Sequence, residues 1–313
     1  MSDINQEAAW DYIRDGYLLA PRTVLKKCVK RPPADLSCIR FEETILSGLL
    51  QQRLEIAMGP LTVSRRSVMF SGGFDSILMA SLARRLGAEV TTITVEFDDF
   101  NPLTVAGAVQ AANQLGMAHR ILHVKAVEFL AAFEALAGLT DEPILDLDLA
   151  IVHAAFKKYD PKLGGDHFIS GMGSDQWFGD LARLANVESL AVRMDWAMVD
   201  EQAHHRVVES HGCKIVFPFL SRPMLEIALS IPDAMKKDKK LLRGLAVAQE
   251  IPDRGARSEI QVPALMRDIL IKTYGHRAWP EPLKACRRDG RELDQALRQI
   301  VLGLWLDKSK DRF

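Results

Sequence analysis

The chain has 313 residues, 48% of them hydrophobic, which is long enough for one large domain or two ordinary ones. Its formal net charge of −1 leaves no excess of cations for binding a polyanion, so we expect no nucleic-acid partner. The four cysteines form no C-x-x-C pair, and we find neither a signal-like start nor a run of about 20 apolar residues. We therefore expect a cytoplasmic protein with no membrane partner, zinc site or disulfide framework.

The apolar pattern divides the chain into a short first segment and a longer second one. Residues 1–60 are predicted to be mostly helical, with a proline-containing break, and 61–313 form the main domain. After residue 67, predicted strands at 67–70, 90–95, 121–124 and 167–170 alternate with predicted helices at 76–86, 102–115, 127–137 and 147–159. This alternation predicts an α/β fold with a parallel, doubly wound sheet. From about residue 181 we predict helices and no strand.

The first predicted strand runs directly into the string SGGFDS, residues 71–76, and then into a helix. Doubly wound sheets bind their ligands beyond the carboxyl ends of the strands. Two glycines at this point leave backbone N–H groups open to an anion, at a helix start that favours negative charge. An ordinary strand-to-helix turn with Asp75 or Ser76 as N-cap could also use the glycines. Such an ordinary turn, however, does not require two hydroxyl groups and a carboxylate around the two glycines. The full string is therefore more specific than the glycines alone.

The string SGGFDS resembles the PP-loop of the ATP pyrophosphatases, which cleave ATP between the α and β phosphates. Four more segments resemble the synthetase domain of asparagine synthetases and their relatives, the β-lactam synthetases and lasso-peptide cyclases. These segments are DEP at 141–143, SGMGSDQWFGD at 170–180, FPFLSRPMLEIALSIP at 217–232 and KKLLR at 239–243. The resemblance implies a five-stranded sheet of PP-loop type, with an α/β core to about residue 180 and a helical part after it.

The same resemblance implies a site for ATP and Mg²⁺. Asp75 and Asp175 would bind the metal, which prefers oxygen ligands, and Lys239 would contact pyrophosphate. The remaining implied contacts are Ser71, Gly72, Gly73 and Ser76 to the leaving pyrophosphate, Ser170 and Gly171 to the α-phosphate, and the backbone of Val95 to the adenine.

Three features depart from the family pattern. Met172 stands where asparagine synthetases usually carry a carboxylate and β-lactam synthetases a tyrosine of the catalytic base, so either the attacking amine needs no base or another residue serves. Glu259 stands where the relatives carry a lysine that stabilises the acyl-adenylate, and Arg257 is the nearest residue that could supply this charge. The glutaminase domain of asparagine synthetases has no counterpart, and we expect no glutamine hydrolysis.

We interpret the chain as an AMP-forming amide ligase of specialised metabolism. It would adenylate a small-molecule or peptide carboxylate and transfer the acyl group to an amine or to ammonia. A separate glutaminase subunit and a homodimer stay open as partners. One alternative is a nucleotide-binding partner subunit with altered catalysis, which Met172 and Glu259 favour. The other is a PP-loop sulfur-transfer enzyme acting on tRNA, although paired cysteines and a basic RNA-binding face are not visible.

Overall fold

The computed structural model describes residues 43–58, 65–98, 101–179, 190–230, 236–252, 261–275 and 290–309. These residues cluster into two compact units. One unit holds the described residues of 124–157 and 260–313, and the other holds those of 34–123 and 158–259. Within these ranges no helix combines the length and the apolar character that crossing a membrane would require.

A five-stranded sheet forms the centre of the second unit. Its strands are β1 (Arg65–Met69), β2 (Glu89–Phe97), β3 (Ala118–Val124), β4 (His167–Ile169) and β5 (Lys214–Val216). They follow the order β3-β2-β1-β4-β5, and β1 pairs in parallel with both β2 and β4. β4 in turn pairs in parallel with β5. The predicted parallel five-stranded α/β fold is therefore confirmed.

Helices occupy most of the rest of the described chain. The first seven are α1 (Glu43–Ala57), α2 (Phe74–Arg85), α3 (Pro102–Gln114), α4 (Ala126–Leu139), α5 (Leu147–Phe156), α6 (Pro161–Gly164) and α7 (Ser174–Phe178). They are followed by α8 (Leu190–Glu209), α9 (Arg222–Ser230), α10 (Lys240–Ala248), α11 (Gln261–Tyr274) and α12 (Gly290–Ser309). Short 3₁₀ turns span Pro218–Leu220 and Lys237–Lys239. The predicted helical character of the C-terminal part is confirmed for these residues.

The central strand β1 is buried because both of its neighbours and the following helix cover it. Val68 is fully buried and lies opposite Thr92 of β2 and Ile169 of β4. Helix α2 packs against β1 and β2 and buries nine of its twelve residues. Strands buried on both faces are typical of parallel sheets, and their burial gives the adjoining turns a rigid support.

The prediction of no strand after residue 181 is wrong for β5. Its three residues pair with β4, and Lys214 N–H donates to the Asp166 carbonyl at 2.7 Å. Just past the pairing, Ser170 N–H donates to the Val216 carbonyl at 3.0 Å. Three residues are too few to show a period of two, and the partner strand lies far away in sequence, so the local pattern carries no signal.

The first unit is helical in its described part. Helices α4 and α12 pack together, and the Trp305 indole donates to the Thr140 carbonyl at 3.1 Å. The Tyr274 hydroxyl of α11 lies 2.9 Å from the Glu134 carboxylate of α4. The predicted division of the chain at residue 60 stays a prediction, since most of 1–60 lies outside the described residues.

Candidate functional site

The turn that joins β1 to α2 carries the string SGGFDS at the carboxyl end of the central strand. Gly72 has a φ of +73°, and a Cβ atom there would lie 2.7 Å from the Ala108 Cα atom of α3. The Ser71 hydroxyl accepts a hydrogen bond from Gly73 N–H at 3.3 Å. The Ser76 hydroxyl donates to the Gly73 carbonyl at 2.9 Å. Backbone conformation and close packing thus both favour glycine at residue 72.

The loop after β4 lies beside this turn because β4 pairs with β1. Gly171 packs closely on the metal-binding candidate Asp75, since a Cβ atom at Gly171 would come within 2.9 Å of the Asp75 Cβ. The Ser170 hydroxyl accepts from Met172 N–H at 3.2 Å. The chain places β2 and β3 on one side of β1, and β4 and β5 on the other. The two loops therefore meet where the strand order reverses, which is the usual ligand position in open α/β sheets.

Three charged side chains predicted for the site meet in this region. The Lys239 ammonium nitrogen lies 2.5 Å from Asp75 Oδ2 and 2.8 Å from Asp175 Oδ1. It also donates to the Ser174 hydroxyl at 3.1 Å. The Lys239 side chain is only 12% exposed, so these contacts form with little access to water. Two carboxylates and a hydroxyl oxygen around one ammonium group give a charge-assisted cluster with one negative charge in excess.

The carboxylates of this cluster suit a magnesium ion. Asp75 Oδ1 is buried and has no hydrogen-bond partner, and a buried carboxylate oxygen of this kind is costly unless a cation or water meets it. Mg²⁺ prefers oxygen ligands and usually takes one or two carboxylates together with phosphate oxygens and water. No group of three or more His, Cys, Asp or Glu among the described residues could hold a metal. Asp75 and Asp175 therefore fit an ion that arrives with a phosphate ligand.

Two other predicted site residues have different outcomes. Val95 lies on β2, and its carbonyl accepts a hydrogen bond from the Asn101 side-chain amide at 3.0 Å. This bond occupies part of the acceptor capacity of the carbonyl, and the contact of Val95 with adenine stays a prediction. Arg257 lies outside the described residues, as does Glu259, which stands where the relatives carry a lysine. What was expected of these two residues stays a prediction.

Ser174 and Arg243 belong to the surroundings of Lys239, but neither was predicted from the sequence to have a role. Ser174 is 1% exposed and accepts from the Lys239 ammonium. Arg243 Nε donates to the Asp238 carbonyl at 3.1 Å. Both residues stand inside recognised strings, Ser174 beside Asp175 and Arg243 at the end of KKLLR. Their positions within these motifs were the signal from which a role at the site could have been predicted.

The parallel sheet and the glycine turn at its centre define an α/β protein whose SGGFDS turn resembles a PP-loop. Residues 50–196 match the family model described as asparagine synthase. A protein of Mycobacterium bovis and two of Mycobacterium tuberculosis, each assigned as a glutamine-hydrolysing asparagine synthetase, are 33% identical over 109 residues. The matched part is 35% of this chain and 16% of each relative. Residues 50–196 are thus similar to the asparagine synthase family, and this similarity supports an ATP-dependent synthetase.

Three solved structures show distant similarity. NMN synthetase from Francisella tularensis is 13% identical with a TM-score of 0.40, covering 87% of this chain and 96% of its own. The U34-tRNA thiolase NcsA from Methanococcus maripaludis is 14% identical with a TM-score of 0.41, covering 93% and 89%. NH₃-dependent NAD synthetase from Campylobacter jejuni is 12% identical with a TM-score of 0.38, covering 86% and 97%. TM-scores in this range do not support functional inference.

Proposed function

We propose that the chain is an AMP-forming amide ligase, which adenylates a carboxylate and transfers the acyl group to an amine or ammonia. The observation that carries the proposal is the contact of Lys239 with Asp75 and Asp175 beside the SGGFDS turn. This cluster supplies two carboxylates for a metal ion and one ammonium group for a phosphate. The neighbouring turn offers backbone N–H groups to an anion. Asp75 and Asp175 lie within residues 50–196, which match the asparagine synthase family model.

Each member of the cluster has a specific role in the proposal. Mg²⁺, held by Asp75 and Asp175, would neutralise phosphate charge and orient the phosphate oxygens. Lys239 would exchange part of its contact with the carboxylates for contact with the pyrophosphate. An ammonium group with little exposure to water interacts strongly with such an anion, because little solvent screens it. Lys239 and the metal ion would thus stabilise the negative charge that develops on the leaving pyrophosphate.

The remaining predicted contacts orient the nucleotide for substitution at the α-phosphorus. The hydroxyls of Ser71 and Ser76 and the backbone of Gly72 and Gly73 hold the leaving pyrophosphate. Ser170 and Gly171 hold the α-phosphate, and the backbone of Val95 faces the adenine. A substrate carboxylate oxygen bonds to the α-phosphorus while the bond to the bridging oxygen breaks. Pyrophosphate leaves with that electron pair.

The second step forms the amide. The amine nitrogen attacks the acyl carbon, the carbon–oxygen bond to AMP breaks, and the amine releases a proton. Arg257 is our candidate for stabilising charge at this stage. The carboxylate belongs to a small molecule or peptide, and the nitrogen comes from an amine substrate or from ammonia, including ammonia delivered by a separate glutaminase subunit. Formation of an acyl-adenylate divides one difficult condensation into two easier steps.

Product analysis tests this proposal. The purified chain is incubated with ATP, Mg²⁺ and a panel of carboxylic acids, each with and without ammonia or a simple amine. We expect AMP and pyrophosphate with at least one acid. Lys239→Met should lower the rate strongly, whereas Lys240→Met removes an exposed neighbouring charge and should not. If the chain binds ATP but releases no pyrophosphate with any of the acids, the ligase proposal is contradicted. That result would favour the nucleotide-binding partner subunit instead.

A further inference from the structure

We propose that Arg243 is a positioning residue that holds the turn Asp238–Lys239 so that the Lys239 ammonium reaches Asp75 and Asp175. The inference rests on the proposed function, because it matters for activity only if Lys239 contacts pyrophosphate. It adds a residue whose effect passes through the backbone of that turn.

The turn that carries Lys239 has an unfavourable backbone conformation. Asp238 and Lys239 both have a φ of +56°, in the left-handed region that residues other than glycine rarely adopt. Two such residues in succession persist only where surrounding contacts hold them. The side-chain contacts of Lys239 alone cannot explain the turn, since a lysine side chain is long enough to reach its partners from more than one backbone conformation.

Arg243 supplies contacts of the required kind. Its Nε donates to the Asp238 carbonyl at 3.1 Å, which is a direct hydrogen bond to the backbone of the left-handed turn. Its guanidinium carbon lies 4.8 Å from the centroid of the Phe74 ring, at cation–π distance. Phe74 is 6% exposed and immediately precedes Asp75. Arg243 therefore connects the turn that carries the lysine to the helix start that carries the carboxylate.

The position of Arg243 is itself well supported. It lies in the first turn of α10, whose Leu242 and Leu245 are buried. A planar guanidinium can stack on a ring while its Nε donates sideways, which an ammonium group cannot do. The arginine is thus chemically matched to its two contacts, and Arg243→Lys keeps the charge but cannot make both contacts at once.

A double-mutant cycle tests whether Arg243 acts through Lys239. The affinity for inorganic pyrophosphate in the presence of Mg²⁺ is measured by calorimetry for the wild type, Lys239→Met, Arg243→Met and the double variant. We expect each single variant to bind pyrophosphate about tenfold more weakly than the wild type. A loss of this size corresponds to the free energy stored in one strained residue. The double variant should bind no more weakly than Lys239→Met, because the arginine then has no lysine to position.

A rescue variant separates backbone positioning from loss of charge. Glycine adopts the left-handed conformation at no steric cost, and the Asp238 side chain is exposed. Asp238→Gly added to Arg243→Met should therefore restore most of the pyrophosphate affinity. Arg222→Met is the matched control, because it removes an exposed arginine paired with Glu226 and should leave affinity unchanged. If Arg243→Met does not fold by circular dichroism, Arg243→Lys takes its place in the cycle.

The outcomes distinguish this inference from the proposed function. Additive losses in the double variant, or no rescue by Asp238→Gly, would contradict positioning through the turn. Wild-type affinity in Arg243→Met would contradict any role for the arginine. Wild-type affinity in Lys239→Met would instead contradict the proposed function of the lysine, and the inference would fail with it.

Discussion

The ammonium group of Lys239 brings together residues that are distant in sequence. It contacts Asp75 across 164 positions of the chain and Ser174 across 65. The KKLLR string predicted Lys239 as a phosphate contact, and the string around Asp175 predicted a carboxylate. Their mutual contact could not be predicted from either string, because it depends on how the elements pack. The proposed metal and nucleotide roles of these residues stay predictions.

We predict that Asp75→Asn lowers the rate of pyrophosphate release by about 10³-fold, the scale of losing one charge-stabilising group in such a site. Asparagine keeps the volume that Gly171 packs against, so the change removes charge rather than shape. The rate is measured at saturating ATP and Mg²⁺. Asp166→Asn is the control, because Asp166 pairs with His167 at the start of β4, whereas the candidate site lies at the carboxyl ends of the strands. A loss below about tenfold would argue against a metal role for Asp75.

His119 on β3 provides a pH-dependent contribution to stability. Its Nδ1 lies 2.8 Å from the Thr92 hydroxyl, and its buried Nε2 has no hydrogen-bond partner. Burial lowers the pKa of His119 below its ordinary value of 6.5, since the charged ring loses solvation. Below pH 6.5 the unfolded chain therefore binds more protons than the folded one. This contribution is complete above pH 6.5 and is lost as the pH falls toward the lowered pKa.

We predict that His119→Gln flattens this part of the stability profile. Glutamine does not titrate and can still bond to the Thr92 hydroxyl. The free energy of unfolding in urea is measured for both proteins at about pH 7.5 and about pH 5.5. The wild type should lose more stability than the variant between these values. Equal losses would show that the pKa of His119 is the same in the folded and the unfolded chain.

At the scale of elements, the strand–turn–helix unit was predictable because all its signals are local. The apolar run of β1, the two glycines and the helical spacing of α2 stand next to each other in sequence. The predicted limits of α2 differ from the observed Phe74–Arg85 by only one or two residues. β5 was missed because its three residues gain their structure from pairing with β4. Local pattern thus succeeded where stabilisation is local, and it failed where a distant partner supplies it.

The glycine turn gives a prediction about stability. Gly72→Ala adds a Cβ atom 2.7 Å from the Ala108 Cα, and Gly72 also has a positive φ. Gly87 has a φ of +91°, but a Cβ atom there would meet nothing within 4 Å, so Gly87→Ala tests the backbone cost alone. We expect about 1 kcal/mol of destabilisation for Gly87→Ala. Gly72→Ala should lose a further ~1–3 kcal/mol from overpacking.

Urea unfolding of the two glycine variants measures the difference directly. Equal destabilisation would show that α3 can move away from the turn at no cost. A larger loss in Gly72→Ala, accompanied by weaker ATP binding, would support the turn as a rigid support for the phosphates. The comparison is internal to one protein, so errors in the unfolded-state reference largely cancel.

For the whole molecule, the sequence predicted the sheet class, and the family match supports an ATP-dependent synthetase. The matched relatives overlap this chain over only 16% of their length, so they do not establish its substrates. The recognised motifs do not identify the acyl and amine pockets, because the resemblance assigns those motifs to the nucleotide. Arg257, the proposed partner of the acyl-adenylate, lies outside the described residues. The nucleotide chemistry is therefore the part of the account that can be tested first.

The central claim is that a carboxylate attacks the α-phosphorus of ATP before the amine reacts. Isotope exchange between labelled pyrophosphate and ATP tests this order directly, with the purified chain, Mg²⁺ and an acid that supports turnover. We predict exchange that requires the acid and proceeds without any amine, because adenylation alone is reversible. Asp75→Asn should slow this exchange by about 10³-fold, as it slows pyrophosphate release. Turnover to AMP or ADP with no pyrophosphate exchange, or exchange that requires the amine, would contradict the account.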